Sequence, residues 1–218
     1  LFEATSVAQL ILGATSAAPQ PIAWCKTVSE ALSQIHAGLL DKVVVAQRRS
    51  FFFERSPEAL HVLDALQAEN DGLCYSFALQ IEVDGAVFFG CSPESLFEIK
   101  IDGCVTVDSI AGTRRRGKSE DADNALATEL LTSRKDAHEN AIVASFVAQK
   151  LQRLLLRGIL ISSVKIDTVS LLKLPSIMHL KCKLTAQLAP FYRQWLATKA
   201  LIDALHPTPA VLGLPPKT

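Results

Sequence analysis

The sequence carries no surplus of charge of either sign: lysine plus arginine and aspartate plus glutamate number 22 each in 218 residues. That balance excludes a nucleic-acid or anionic-membrane footprint resting on bulk charge and leaves the electrostatics to local clusters. No apolar run approaches the ~20 residues that a membrane helix needs. Leu1-Phe2-Glu3 lacks the basic flank and long apolar centre of a secretory signal. The five cysteines, Cys25, Cys74, Cys91, Cys104 and Cys182, are scattered, odd in number and free of C-x-x-C spacing. They argue against a disulfide framework or a zinc site and suit a reducing compartment. Nucleophile elbow, Walker loop, dinucleotide fingerprint, internal repeat and low-complexity linker are all missing, and Gly103, Gly112 and Gly117 do not match a phosphate cradle. The start has no initiator methionine and the end, Leu214-Pro215-Pro216-Lys217-Thr218, is proline-rich, which together predict a trimmed chain or a fragment.

What is present is a soluble globular composition, 49% apolar, enough for a substantial core. Ala31, Leu32, Ile35 and Leu39 fall at helical spacing, predicting a helix over 28–40 that feeds a strand over 42–46. Ser56-Pro57-Glu58 predicts the start of a second helix, with Ala59, Leu60, Leu63 and Leu66 on its apolar side. Asp84-Gly85 and Asp102-Gly103 sit between apolar alternations as hairpin turns do, giving three antiparallel strands over 74–83, 86–99 and 104–110. Ala111-Gly112-Thr113-Arg114-Arg115-Arg116-Gly117 and the polar run behind it predict a mobile basic loop. A long helix follows over 121–157, continuous or broken in its middle, with Leu126, Leu130, Ile142, Val143, Phe146, Val147, Leu151, Leu154 and Leu155 as its stripe. Short strands are expected over 164–169 and at Ile177-Met178-His179-Leu180, and a last helix from Pro190 to Leu205. One α+β domain over 1–218 accommodates this order.

Three residues stand where chemistry is conceivable. Glu94 follows the apolar strand Ala86-Val87-Phe88-Phe89 through Gly90-Cys91-Ser92-Pro93. Pro93 cannot donate to a ladder, so an edge, bulge or loop precedes Glu94, a common way to aim a side chain. Glu94 is then either a strand-start carboxylate facing solvent or a buried carboxyl, kept protonated by desolvation and able to protonate a leaving group. Lys42 shares a strand face with Val44 and Ala46. It either snorkels outward or, desolvated, accepts a proton. Glu139 has Ile142, Val143 and Phe146 three, four and seven positions on, which puts it on the buried stripe with Asp136 one turn earlier. Either a divalent cation such as magnesium holds the two carboxylates ionised, or Arg134 and Lys135 pair with them at the surface. His179 and His206 read as hydrogen-bonded core residues or as weaker catalytic candidates.

Taken in order, Lys42-Val43-Val44-Val45-Ala46-Gln47-Arg48, Phe89-Gly90-Cys91-Ser92-Pro93-Glu94, Ile110-Ala111-Gly112-Thr113-Arg114-Arg115-Arg116-Gly117 and Lys135-Asp136-Ala137-His138-Glu139 resemble the chorismate-utilising enzymes. His179-Leu180 and Leu205-His206-Pro207-Thr208-Pro209-Ala210 extend the resemblance. It implies an α+β chorismate-binding fold, two antiparallel sheets packed together with flanking helices, and Mg²⁺-dependent chemistry on chorismate. Lys42 resembles the base of the water-using branch, where anthranilate-type relatives typically carry glutamine, so the resemblance implies an isochorismate synthase, an isomerase. Its alternatives are a salicylate synthase and a catalytically silent truncated module of a multifunctional protein.

In the roles so implied, Lys42 takes a proton from the attacking water and Glu94 protonates the departing ring hydroxyl. Glu139 holds Mg²⁺, with Asp136 as a further ligand through water. Gly112, Thr113 and His179 contact the substrate. The only partner expected is chorismate, with no nucleic acid and no membrane. The location expected is the cytoplasm, or a plastid in a plant or alga. Two departures stand out: Asn140 where relatives commonly have a second histidine, and Lys181-Cys182-Lys183 in place of a more neutral segment. The C-terminal part of the fold, with a glycine-rich strand, a carboxylate-binding arginine and a last magnesium-site glutamate, is expected to be missing.

Overall fold

The computed structural model describes residues 12–18, 20–53, 57–83, 85–192 and 194–214. In chain order the elements are β1 (Leu12–Ala18), α1 (Pro21–His36), β2 (Lys42–Val43), β3 (Arg48–Phe53), α2 (Ala59–Glu69), β4 (Tyr75–Gln80), β5 (Val87–Ser92) and β6 (Glu98–Ile99). Then come β7 (Cys104–Arg115), α3 (Glu120–Thr132), α4 (Arg134–Leu156), β8 (Lys165–Ile166), β9 (Ser170–Lys173), β10 (Ile177–Gln187), α5 (Gln194–Leu205) and β11 (Gly213–Leu214). They fall into two compact units, residues 1–37 with 45–94, and residues 38–44 with 95–218.

In the first unit, β1 and β3 pair antiparallel, from Leu12 opposite Phe53 to Ala18 opposite Arg48. The sequence predicts α1 over 28–40, but Pro21 at the first helical turn moves its start forward in the chain, since a proline there sacrifices no intrahelical bond. Gly38, at φ +72°, follows its end. β4 and β5 form an antiparallel pair running from Tyr75 opposite Ser92 to Gln80 opposite Val87. A Cβ on Gly90 of β5 would lie 2.7 Å from the tip of the Phe77 ring, so a larger residue there needs that exposed ring to shift. α2 contributes the buried Leu63. Asp84 of the expected hairpin and Ser56 of the expected helix start lie outside the described residues.

The second unit is built on the antiparallel order β6-β7-β10-β8, with β9 also paired to β10. Alternation sets its faces. Val105, Val107 and Ser109 of β7 lie opposite Ala186, Leu184 and Cys182 of β10, and all six are buried. Against them pack Val147, Leu151 and Leu154 of α4 and Ala197, Leu201 and Leu205 of α5, at the three- and four-residue steps that put side chains on one helix face. Each such Leu, taken from water to full burial, stabilises by roughly 1.5–3 kcal/mol.

Three expectations for this unit are corrected, and the break left open in the long helix is located. β2 is only Lys42–Val43, where 42–46 was expected. α5 starts at Gln194, behind a turn that follows Pro190. The long helix is two, broken at Ser133, which ends α3 and caps α4 by accepting the Asp136 N–H at 3.3 Å. Instead of a mobile basic loop, β7 continues through Arg115, held against β10 from Ile177 opposite Arg115 onward. Partners explain the order: Arg114 binds Glu129 and Asp136, and Arg116 binds Asp123.

Candidate active site

Lys42 lies in β2, whose partner is β11: Gly213 faces Val43 and Leu214 faces Lys42. Flanking backbone bonds, Asp41 N–H to the Leu214 carbonyl and Val44 N–H to the Leu212 carbonyl, lengthen the seam. Gly213 has φ +127°, and a Cβ there would drive into the Lys42 carbonyl, so the seam needs glycine at that position. Lys42 is 9% exposed; its Nζ donates to the Pro209 carbonyl at 2.7 Å and stands 3.4 Å from Glu139 Oε1. A buried lysine nitrogen is tolerable when acceptors take its donors, and this one has a carbonyl and a carboxylate. The Leu205–Ala210 motif thereby gains a structural role: it brings a main-chain acceptor to Lys42.

Glu139 sits at the edge of the buried stripe of α4, which is formed by Asp136, Asn140, Val143, Val147, Leu151 and Leu154. Its side chain is 31% exposed, and its second oxygen is 3.7 Å from the exposed Lys135. Asp136 is buried and committed: Arg114 Nη2 donates to its Oδ2 at 3.0 Å. Burial pushes its carboxyl up, but hydrogen bonds from Ser133 and Arg114 outweigh that, and its pKa lies below the ordinary value. Asn140, the departure from the family pattern, is buried and donates to the Ser109 and Leu180 carbonyls, tying α4 to both central strands.

Beside Asp136 the β7–β10 ladder is bulged. His179 pairs with Thr113 and Leu180 with Ala111, leaving Gly112 as the extra residue at φ +85°. A Cβ on Gly112 would lie 2.9 Å from Asp136 Cβ, so glycine lets α4 approach the strand. Past the bulge, Thr113 Oγ1 and His179 Nδ1 are 2.9 Å apart. His179 Nε2 is buried without a hydrogen bond of ordinary geometry, and burial holds the ring pKa below its usual value despite the Gly112 carbonyl.

Glu94 is the last residue of the first unit. β5 ends at Ser92, and the Glu94 N–H donates to the Ser92 hydroxyl at 3.2 Å, a local turn that sets the half-buried Glu94 just past the strand. Of the expected site residues, Lys42, Glu139, Asp136, Gly112, Thr113 and His179 therefore lie in one unit and Glu94 in the other.

Sequence reasoning missed the two arginine clamps and the Pro209 carbonyl. Ser133 with Asp136 three residues on is a capping signature that marks the helix break. Nothing local announces a main-chain acceptor 167 residues from Lys42. The Lys181 ammonium of the second departure is bound 2.7 Å from Asp108. Two cavities, one in each unit, are lined by none of Lys42, Glu139, Thr113 and His179.

A magnesium cage is not assembled by these residues: among the described residues no three His, Cys, Asp or Glu side chains group to hold a metal. Asp136 is spent on Arg114, and Glu139 alone offers a loosely held carboxylate oxygen. No described helix is long and apolar enough to cross a membrane.

The α+β scaffold, with Lys42 beside Glu139 and the bulged Gly112-Thr113 facing His179, agrees with the chorismate-binding fold that the resemblance implies. The sequence profile of the family described as "chorismate binding enzyme" matches residues 4–218, and the chain belongs to that family. It is 33% identical over 192 residues to an isochorismate synthase MenF from Haemophilus influenzae, covering 88% of this chain and 42% of the relative. A solved putative 2,3-dihydroxybenzoate-specific isochorismate synthase, DhbC, from Bacillus anthracis superposes with a TM-score of 0.81 at 26% identity, over 96% of this chain and 54% of that one. The menaquinone-specific isochorismate synthase MenF from Escherichia coli gives 0.74 at 25% identity, over 94% and 45%. The chain thus spans about half the length of these relatives.

Proposed function

We propose that this chain carries the base-bearing part of an isochorismate synthase, which converts chorismate to isochorismate by adding water to the ring with loss of a ring hydroxyl. The observation that carries the reading is Lys42: a buried lysine held by the Pro209 carbonyl beside Glu139, at the strand position where the resemblance expects the base of the water-using branch. Lys42 accepts a proton from water as it attacks the ring carbon next to the carboxylate-bearing one. Glu94 gives a proton to the departing hydroxyl, which leaves as water. One proton is taken up and one released, so the isomerisation balances, and the two groups need opposite protonation states at the outset.

Thr113 and His179 orient the substrate through their paired polar atoms, and Gly112 permits close backbone approach. Mg²⁺, held by Glu139 and by ligands beyond the described residues, would neutralise the substrate's carboxylates. Asp136, fixed by Arg114, positions the start of α4 and would reach Mg²⁺ only through water.

Incubating the full-length protein with chorismate and Mg²⁺ and separating the products tests this. Isochorismate is the expected product. Anthranilate formed only when ammonia is supplied overturns the assignment, and salicylate with pyruvate transfers it to a salicylate synthase. One observation favours a catalytically silent module, the incomplete set of metal ligands among the described residues. That reading predicts no turnover by the full-length protein.

A further inference from the structure

Two cysteines that the mechanism does not use come together in the first unit. Ser76 in β4 is the register partner of Cys91 in β5, and Cys74 stands two residues before Ser76, just outside the strand. Each has a polar neighbour: Cys74 Sγ donates to Asn70 Oδ1 at 3.6 Å, and Cys91 Sγ is 3.5 Å from Ser76 Oγ. Both thiols are half-buried and line a cavity of about 480 Å³, shared with Gln67, Asn70, Asp71 and Ser76, so a small solute can reach them. The segment delivering Cys74 is the tight turn of Asp71 and Gly72, at φ +53° and +70°, and it precedes the β4 ladder. The remaining thiols stand apart: Cys25 is exposed on α1, Cys182 is buried in β10 with its thiol on the Asp167 carbonyl, and Cys104 begins β7.

We propose that Cys74 and Cys91 form a thiol–disulfide modification site that takes a low-molecular-weight disulfide. One protein thiolate attacks a sulfur of the small disulfide, forming a mixed disulfide and releasing one small thiol. The second protein thiolate then attacks the protein sulfur of that mixed disulfide, forming the Cys74–Cys91 bond and expelling the second small thiol. Two protein thiols are oxidised and one small disulfide is reduced to two thiols, so atoms and electrons balance. Burial and the neighbouring Cys91 hold the Cys74 thiol above its ordinary range, so formation accelerates as pH is raised through the thiol range. Cys91 lies three residues before Glu94, so the bond pins the strand end that precedes Glu94. That consequence rests on the proposed function, whereas the bond itself does not.

Incubation of the full chain with oxidised glutathione, followed by peptide mass mapping under non-reducing conditions, decides the matter. The expected result is a species about 2 Da lighter with the Cys74 and Cys91 peptides linked. A C25S/C104S/C182S variant should give the same link, and a C74S variant should instead retain a glutathione adduct on Cys91. Modification confined to Cys25, or separate adducts on Cys74 and Cys91 with no link, overturns the proposal. If C74S does not fold, the mapping on the unaltered chain decides alone. A link that forms without change in turnover leaves the site standing and removes its effect on Glu94, and a protein inactive before oxidation bears on the functional reading only.

Discussion

Two carboxylates of the second unit, Asp123 and Glu139, each meet two cations and come to opposite ends. Asp123 receives four hydrogen bonds: from Arg116 Nε at 2.6 Å and Nη2 at 3.0 Å, from the Gly117 N–H at 3.0 Å and from Lys173 at 2.8 Å. Its carboxyl is held well below the usual carboxylate range, by Arg116 first and then by Lys173 and Gly117. Glu139 has longer contacts, 3.4 Å to Lys42 and 3.7 Å to Lys135, and keeps nearly a third of its side chain in solvent. A filled carboxylate fixes chain segments, here β7, α3 and β9. A loosely held one can be claimed by a substrate or cation without dismantling the fold.

The sharpest break of that contrast is Lys42→Ala. Turnover of chorismate by the full-length protein should fall by roughly 10²–10⁴, the range ascribed to a positioned acid or base, while the far-ultraviolet spectrum is retained. Next comes Asp123→Asn, which should do the reverse: kcat unchanged and Tm lowered by on the order of several degrees, read by calorimetry. The linkage sign is fixed. A depressed folded-state pKa stabilises above the unfolded carboxylate value of about 4 and loses that contribution as pH falls below it, so the variant should also lose part of the acid sensitivity. If Lys42→Ala lowered Tm as much as Asp123→Asn and spared kcat, the distinction between the two clusters would be gone.

Much of the second unit was legible because its periodicity is strong. Val143, Val147, Leu151 and Leu154 follow the helical step and are buried as expected. The same stripe misled at its start, where Asp136 and Asn140 occupy the core-facing positions and Glu139 falls to the edge. Polar residues hide a stripe from a hydrophobicity reading, although their hydrogen bonds make them equally internal. The arginine segment misled for the opposite reason. Consecutive charges look like solvent, and only the carboxylates of Asp123, Glu129 and Asp136, brought in by α3 and α4, turn it into strand. Lys42, Glu94 and Glu139 were singled out from local pattern, but a role for each came from resemblance, since main-chain acceptors such as the Pro209 carbonyl leave no local signature.

A smaller effect than that of Lys42→Ala is expected at the bulge. Gly112→Ala forces a side chain into the left-handed region and against Asp136, so chemical denaturation should report a loss of about 1–3 kcal/mol. The m-value should not change. An unaltered midpoint would mean that the bulge tolerates a Cβ and that α4 does not depend on glycine for its approach.

The smallest effect, and the one that separates a polar pair from a charged one, lies at His179. Burial lowers its pKa, so between the folded value and the unfolded value of about 6.5 the unfolded chain binds more protons and stability rises with pH. The contribution is fully present above the unfolded value and is lost as pH falls through the folded one. His179→Gln keeps a polar group opposite Thr113 but cannot titrate, so its stability should vary less between pH 5 and 7 than that of the unaltered chain. Asp123 does not interfere, because its depressed pKa places its transition at lower pH. A slope equal to that of the unaltered chain would show that His179 binds protons equally in the folded and unfolded chains, and burial of the ring beside the Thr113 hydroxyl would then carry no pH dependence.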